Sequence, residues 1–180
     1  MLKEMFEYNK QFVKDERYKE FQTDKYPSKK TAILACMDTR LTSLLPAALG
    51  LKNGDVKLIK NAGAVVSHPY GSVIHSLIIS IYELGVEEVL VIGHDDCGMQ
   101  NLNSEKLIKK MHEHGITDVD IARSDGATGG IEDWLVGFQN VEEAVSGSVE
   151  IIKAHPLIPK NIRIYGLIMN PETGEVRQVV

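Results

Sequence analysis

Two short polar stretches carry the residue types that do chemistry. Cys36-Met37-Asp38-Thr39-Arg40 sets a thiol, a carboxylate and a guanidinium at alternate positions. Gly93-His94-Asp95-Asp96-Cys97-Gly98 adds an imidazole and a second thiol three residues apart. Zinc favours thiolate and imidazole donors in tetrahedral geometry, at about 2.0–2.3 Å. Cys36, His94 and Cys97 supply three such donors, and three protein donors leave a fourth position open, as in catalytic rather than structural sites. Asp38, two residues from Cys36, is the nearest group to fill it. Arg40 stands where it can instead hold Asp38 in a bidentate pair. Two states follow: Asp38 on zinc, or Asp38 on Arg40 with water on zinc. Zinc acidifies water toward neutrality, and two thiolates weaken that effect by cancelling the charge of the ion. Activity is therefore expected to rise with pH, as hydroxide displaces Asp38.

Taken singly, these residues read blandly. Cys36 alone would be a core residue at a strand end, His94 a satisfied loop histidine, Arg40 a surface cation. A phosphatase-like thiolate loop needs a wider spacing than the three residues between Cys36 and Arg40, and there is no Cys-x-x-Cys redox motif. Asp95 and Asp96 read either as turn residues or as acceptors that support the ligand loop. His68 and His75 are candidate proton relays, and His112, His114 and His155 are expected at the surface.

The elements that must position these groups are legible in the pattern. Ala32-Ile33-Leu34-Ala35 and Val89-Leu90-Val91-Ile92 are apolar runs that end directly on the two polar stretches. Buried parallel strands look like this, and ligands sit beyond their C-terminal ends. A helix capped by Thr42 or Ser43 and ended by Gly50 follows, with Pro46 in its first turn. Val56–Ile59 reads as a strand, Ser72–Leu84 as an apolar helix, and Ser104 as the cap of a helix closed by Gly115. The glycines at 126, 129, 130 and 137 predict a loop-rich segment anchored on the core by Trp134. Asn140 with Glu143 starts a helix whose buried stripe is Val141, Val145, Val149 and Ile152. Ile162–Met169 and Val176–Val180 form a hairpin. The fold class is α/β: a mostly parallel central sheet flanked by helices, with an antiparallel C-terminal edge strand. Residues 1–30 read as a helical arm and 31–180 as a single domain.

The 180 residues, 43% hydrophobic and 25% charged, fit a globular protein with one core. A net charge of -5 without a basic run argues against nucleic acid as partner. No apolar stretch reaches membrane-span length and Met1–Lys10 has no signal-like core, so no membrane partner and a cytoplasmic setting are expected.

The paired motifs Cys36-x-Asp38-x-Arg40 and His94-x-x-Cys97 resemble the signature of the β-class carbonic anhydrases. The likeness extends to Lys60-Asn61-Ala62-Gly63, to Gly93–Met99, and to Pro156-Leu157-Ile158-Pro159 before the Ile164–Ile168 strand, as in the short prokaryotic branch. It implies zinc (Zn2+) held by Cys36, His94 and Cys97, with Asp38 as an exchangeable fourth ligand paired to Arg40. It implies reversible hydration of carbon dioxide to bicarbonate by zinc-bound hydroxide, with Asp38 and Arg40 catalytic. It also implies a homodimer or higher oligomer, an N-terminal helix reaching to the partner, and Ala62 and Gly63 bordering the substrate. Two alternatives stay open: a related zinc hydrolase acting on carbon disulfide, and a zinc-binding protein without catalysis. A dinucleotide-binding module lacks its glycine motif.

Overall fold

Strand β1 (Thr31–Cys36) is buried along its whole length, which places it at the centre of the molecule. The computed structural model describes the backbone of residues 1–180 and every side chain except those of residues 125–128. Helix α1 (Leu2–Lys14) and a 3₁₀ turn at Arg17–Phe21 precede β1. After it come α2 (Leu41–Ala48), β2 (Val56–Asn61), α3 (Ser72–Tyr82), β3 (Glu88–His94) and α4 (Ser104–Glu113). Then follow α5 (Asp118–Thr128), α6 (Ile131–Leu135), α7 (Val141–Ala154), β4 (Arg163–Met169) and β5 (Val176–Gln178).

The five strands form one sheet in the order β2-β1-β3-β4-β5, parallel except for the final pair. The chain leaves β1 for β2 on one side and later enters β3 on the other. The crevice between the C-terminal ends of β1 and β3 is thus the switch point at which open α/β sheets bind ligands. Register sharpens this: Ala35 lies beside Ile92, so the strands deliver Cys36 and His94 to one edge.

Helix α7 covers β3 and β4 through the stripe expected from its sequence, Val141, Val145, Val149 and Ile152, all buried. Asn140 caps it by accepting from the amides of Glu142 and Glu143 at 2.7 and 3.2 Å. The packing is tight enough to dictate glycine at position 93. A Cβ there would sit 2.7 Å from Val145 Cγ2 and 2.9 Å from Val141 Cγ2. Gly93→Ala is accordingly expected to overpack the interface and lower unfolding stability by about 1–3 kcal/mol. A urea titration checks this, and a wild-type midpoint would show that α7 yields freely.

Several local expectations are corrected. Helix α2 begins at Leu41, with Arg40 at its N-cap position. The turn is organised by Asp38, whose Oδ1 accepts from the Arg40 amide at 2.8 Å, so neither Thr42 nor Ser43 caps it. Pro46 falls in the second turn, where the amide that would reach Thr42 is missing. The cap of α4 is Asn103, one residue earlier than expected, accepting from the Lys106 amide. The segment expected to be loop-rich contains α5 and α6, and Trp134 is 61% exposed instead of anchored. Gly129 and Gly130, at φ +75° and +124°, break the chain between two helices without unfolding them. Gly126 lies among the residues whose side chains are not described.

Candidate metal centre

Cys36 is the last residue of β1, His94 the last of β3, and Cys97 sits three residues into the loop that follows. Their donor atoms all lie within 4.8 Å of one another, and all three residues are buried. The two sulfurs are 3.8 Å apart and both thiols are free. The Gly63 amide donates to Cys36 Sγ at 3.4 Å, an approach made possible by a backbone at φ +80°. A side chain at 63 would also collide with Phe138 Cε1, 2.9 Å from the Cβ position.

The imidazole is oriented from behind. His94 Nδ1 lies 2.8 Å from the Asp95 carbonyl, which can only accept, so Nδ1 carries the proton and Nε2 presents a lone pair. Among the described residues, that Nε2 is buried without a hydrogen-bond partner. A bare buried acceptor is costly unless something fills its coordination. Two sulfurs and one imidazole nitrogen converging on one point are a zinc-type donor set. The thiols are polarised in the same sense: the Cys97 thiol donating to Cys36, aided by the amides of Asp38 and Gly63, holds Cys36 well below the ordinary thiol range. Donation to Cys36 and burial push Cys97 up. One negative charge is thus already favoured among the three donors, and a cation would draw out the second.

Asp38 stands beside this cluster and outside it. Arg40 grips its carboxylate as a fork, Nε to Oδ1 at 3.1 Å and Nη2 to Oδ2 at 2.8 Å. Its Oδ2 is 3.8 Å from His94 Nε2. Asp38 is thus held on Arg40. The fork lowers the Asp38 carboxyl to about 2. The same guanidinium reaches Asp96, donating to Oδ2 at 2.9 Å and to the carbonyl at 2.8 Å. Arg40 therefore ties the loop after β1 to the loop after β3.

A cavity of about 660 Å³ opens over the cluster, lined by Cys36, Asp38, Arg40, Ala62, Gly63 and Cys97 together with apolar Met37, Met99 and Leu102. Ala62 and Gly63 border it. His68 and His75 do not line it; His68 is exposed and its Nδ1 accepts from the Tyr70 amide. His112 and His114 are exposed, whereas His155 is buried at 2%, contrary to expectation, with Nδ1 accepting from the Leu157 amide. Its place directly after the last turn of α7 folds it beneath Tyr70, whose ring lies edge-on at 5.4 Å. The apolar wall of the cavity escaped the sequence reading. Met99 and Leu102 are held there by the 136–138 segment, through Asn101 N to Phe138 O and Gly137 N to Leu102 O. The only signal was Gly137, where a Cβ would lie 1.9 Å from Met99 O.

The family model described as carbonic anhydrase matches residues 31–176. The Bacillus subtilis protein YvdA, provisionally named a carbonic anhydrase, is 49% identical over 179 residues, covering 99% of this chain and 91% of its own. The carbon disulfide hydrolase of Acidithiobacillus thiooxidans is 32% identical over 153 residues, with 81% of this chain and 74% of that protein covered. Among solved structures, the β-carbonic anhydrase isoform I of Trichomonas vaginalis superposes with a TM-score of 0.88 at 33% identity, covering 100% of this chain and 97% of that one.

Proposed function

The chain belongs to the β-class carbonic anhydrase family, and on that premise we propose that it is a zinc enzyme hydrating carbon dioxide reversibly to bicarbonate, with Cys36, His94 and Cys97 as the metal ligands. The observation that carries the metal assignment is the buried Nε2 of His94, without a hydrogen bond among the described residues, facing two thiols within 4.8 Å. Zinc in such a site is a Lewis acid that lowers the pKa of water.

The remaining chemistry belongs to the chain's own residues. Carbon dioxide plus water gives bicarbonate and one proton, so no acid is needed for a leaving group. Asp38, ionised and locked by Arg40, takes only one hydrogen bond at Oδ2 among the described residues, which leaves that oxygen able to accept another from the attacking oxygen and aim it. Arg40 keeps that carboxylate off the metal position. Met37, Met99, Leu102 and Ala62 give an apolar, linear substrate a surface where it loses little hydration. Among the described residues no imidazole lines the cavity, so the released proton passes to water and buffer.

The proposal includes a homodimer or larger assembly. Helix α1 buries none of its residues against its own chain, leaving Leu2, Met5 and Phe6 exposed. Residues 1–30 are then an arm and 31–180 the catalytic domain. A cytoplasmic setting, where two buried thiols stay reduced, completes the reading.

Stopped-flow hydration of carbon dioxide by zinc-loaded protein at pH 7 and pH 9 tests the function. Activity rising toward pH 9 is the expected result. Hydrolysis of carbon disulfide without carbon dioxide hydration would transfer the assignment to the alternative substrate, and inactivity toward both with zinc bound would mark a protein without catalysis.

A further inference from the structure

The His94 ring is oriented by one contact, Nδ1 to the Asp95 carbonyl, and Asp95 is itself fixed at two points. Its amide donates to Met169 O of β4 at 3.0 Å. Its carboxylate is gripped by Arg177 of β5, with Nη1 to Oδ2 and Nη2 to Oδ1 both at 3.0 Å. Arg177 faces Ile168 across the β4–β5 ladder and reaches past β4 to the loop after β3. It also lies 3.6 Å from Glu142 in the first turn of α7. Neither Asp95 nor Arg177 lines the cavity over the thiols. Arg177 stands one residue beyond the segment matched by the family model.

We propose that Arg177 is a positioning residue for His94: by clamping Asp95 it fixes the carbonyl that selects the Nδ1–H tautomer and turns Nε2 toward the two sulfurs. The reason is torsional. The Asp95 carbonyl moves with the peptide that follows it, and a freed Asp95 side chain lets that peptide rotate. A bidentate guanidinium–carboxylate pair removes this freedom more completely than a single bond. The pair is 47% and 40% exposed, so its effect on global stability is small. A staple holding β5 to the sheet and a device orienting His94 therefore leave different traces.

The inference rests on His94 being a metal ligand, and the test separates the two ideas. Reduced, metal-free protein labelled with ¹⁵N in its imidazoles, observed by long-range proton–nitrogen correlation at pH 8, should show His94 as a single Nδ1–H tautomer. In R177Q the His94 signals should move toward a mixture of tautomers, and zinc affinity measured by chelator competition should fall about tenfold. R177K should recover part of both. D95N, which keeps the carbonyl and loses the carboxylate charge, should match R177Q, and the double variant should be no worse than either single one. R177Q and D95N that keep the wild-type tautomer and zinc affinity, even with a lowered melting temperature, overturn the proposal and leave Arg177 a strand staple. Wild-type protein that binds no zinc would sink the metal assignment, and the clamp would then stand or fall on the tautomer alone.

Discussion

His94→Ala is expected to reduce zinc from about one per chain to less than about a tenth and to abolish carbon dioxide hydration. His94 is fully buried at the end of β3, and its Nε2 lies near the two sulfurs with no hydrogen-bond partner among the described residues. Its removal leaves two thiols 3.8 Å apart, a pair that cannot by itself close a tetrahedral site. Loss of a group that only supports a ligand costs about 10–100-fold in affinity or activity, so loss of a ligand should exceed that. The substitution also opens a void among Cys36, Asp95 and the strand ends, so folding must be followed alongside. Metal analysis and stopped-flow rates on protein whose circular dichroism matches wild type make the comparison. Cys36→Ser and Cys97→Ser, with smaller steric change, should behave alike. A His94→Ala protein that keeps stoichiometric zinc and turnover would show that the cluster of Cys36, His94 and Cys97 is not the centre.

The second large effect concerns the carboxylate beside the cluster. Asp38→Ala is expected to keep zinc while lowering kcat by about 10²–10³-fold, the scale on which loss of one aimed polar contact to a reacting oxygen is felt. Arg40→Gln should also lower turnover, with a different pH signature. Asp38 is held at about 2 by the Arg40 fork. A carboxyl depressed below its unfolded value of about 3.9 contributes stability above that value and loses it as pH falls through about 2. Asp38 is therefore fully ionised from pH 6.5 to 9, and a rise of activity across that window cannot be its titration. On the zinc reading, the expected rise would report hydroxide gaining the metal position, either against water or against Asp38. Freeing Asp38 from Arg40 strengthens its competition, so Arg40→Gln should move the midpoint of the rise to higher pH, whereas Asp38→Ala should not. Rate profiles of both variants and the wild type from pH 6 to 9.5 decide the matter. An unmoved midpoint in Arg40→Gln would remove the guarding role from Arg40, and full activity in Asp38→Ala would remove the aiming role from Asp38.

What the sequence made legible follows from how each group is specified. Cys36 and His94 end apolar runs, so strand periodicity alone brought them to one edge, and the parallel register places Ala35 beside Ile92. The α7 stripe was readable because Val141, Val145, Val149 and Ile152 keep one helical period, and Asn140 announces its start. The cavity wall was hidden because Met99 and Leu102 are set by backbone bonds to Phe138 and from Gly137, a pairing across 35 and 37 residues with no periodic trace. Trp134 misled for a related reason: large apolar residues usually sit inside, yet α6 offers it no buried face. His155 misled in the opposite sense, since nothing in its neighbours on the chain foretells Tyr70 closing over it. Arg177 is the same kind of case, since its partner Asp95 lies 82 residues away.

The register that joins β1 to β3 has a consequence for the order of assembly. Cys36 and Cys97 are 61 residues apart in the chain, and Cys36 meets the other two donors only after β1 and β3 pair side by side, with α2, β2 and α3 between them in the chain. Closing that loop around a lone ion would fix a long segment for a single contact, an entropic cost that grows with its length. In a zinc finger the donors are close neighbours in sequence and the ion drives the collapse. Here the sheet is expected to form first. On the zinc reading, the chain is expected to condense as an apoprotein with its thiols sequestered, and the ion to enter a completed pocket.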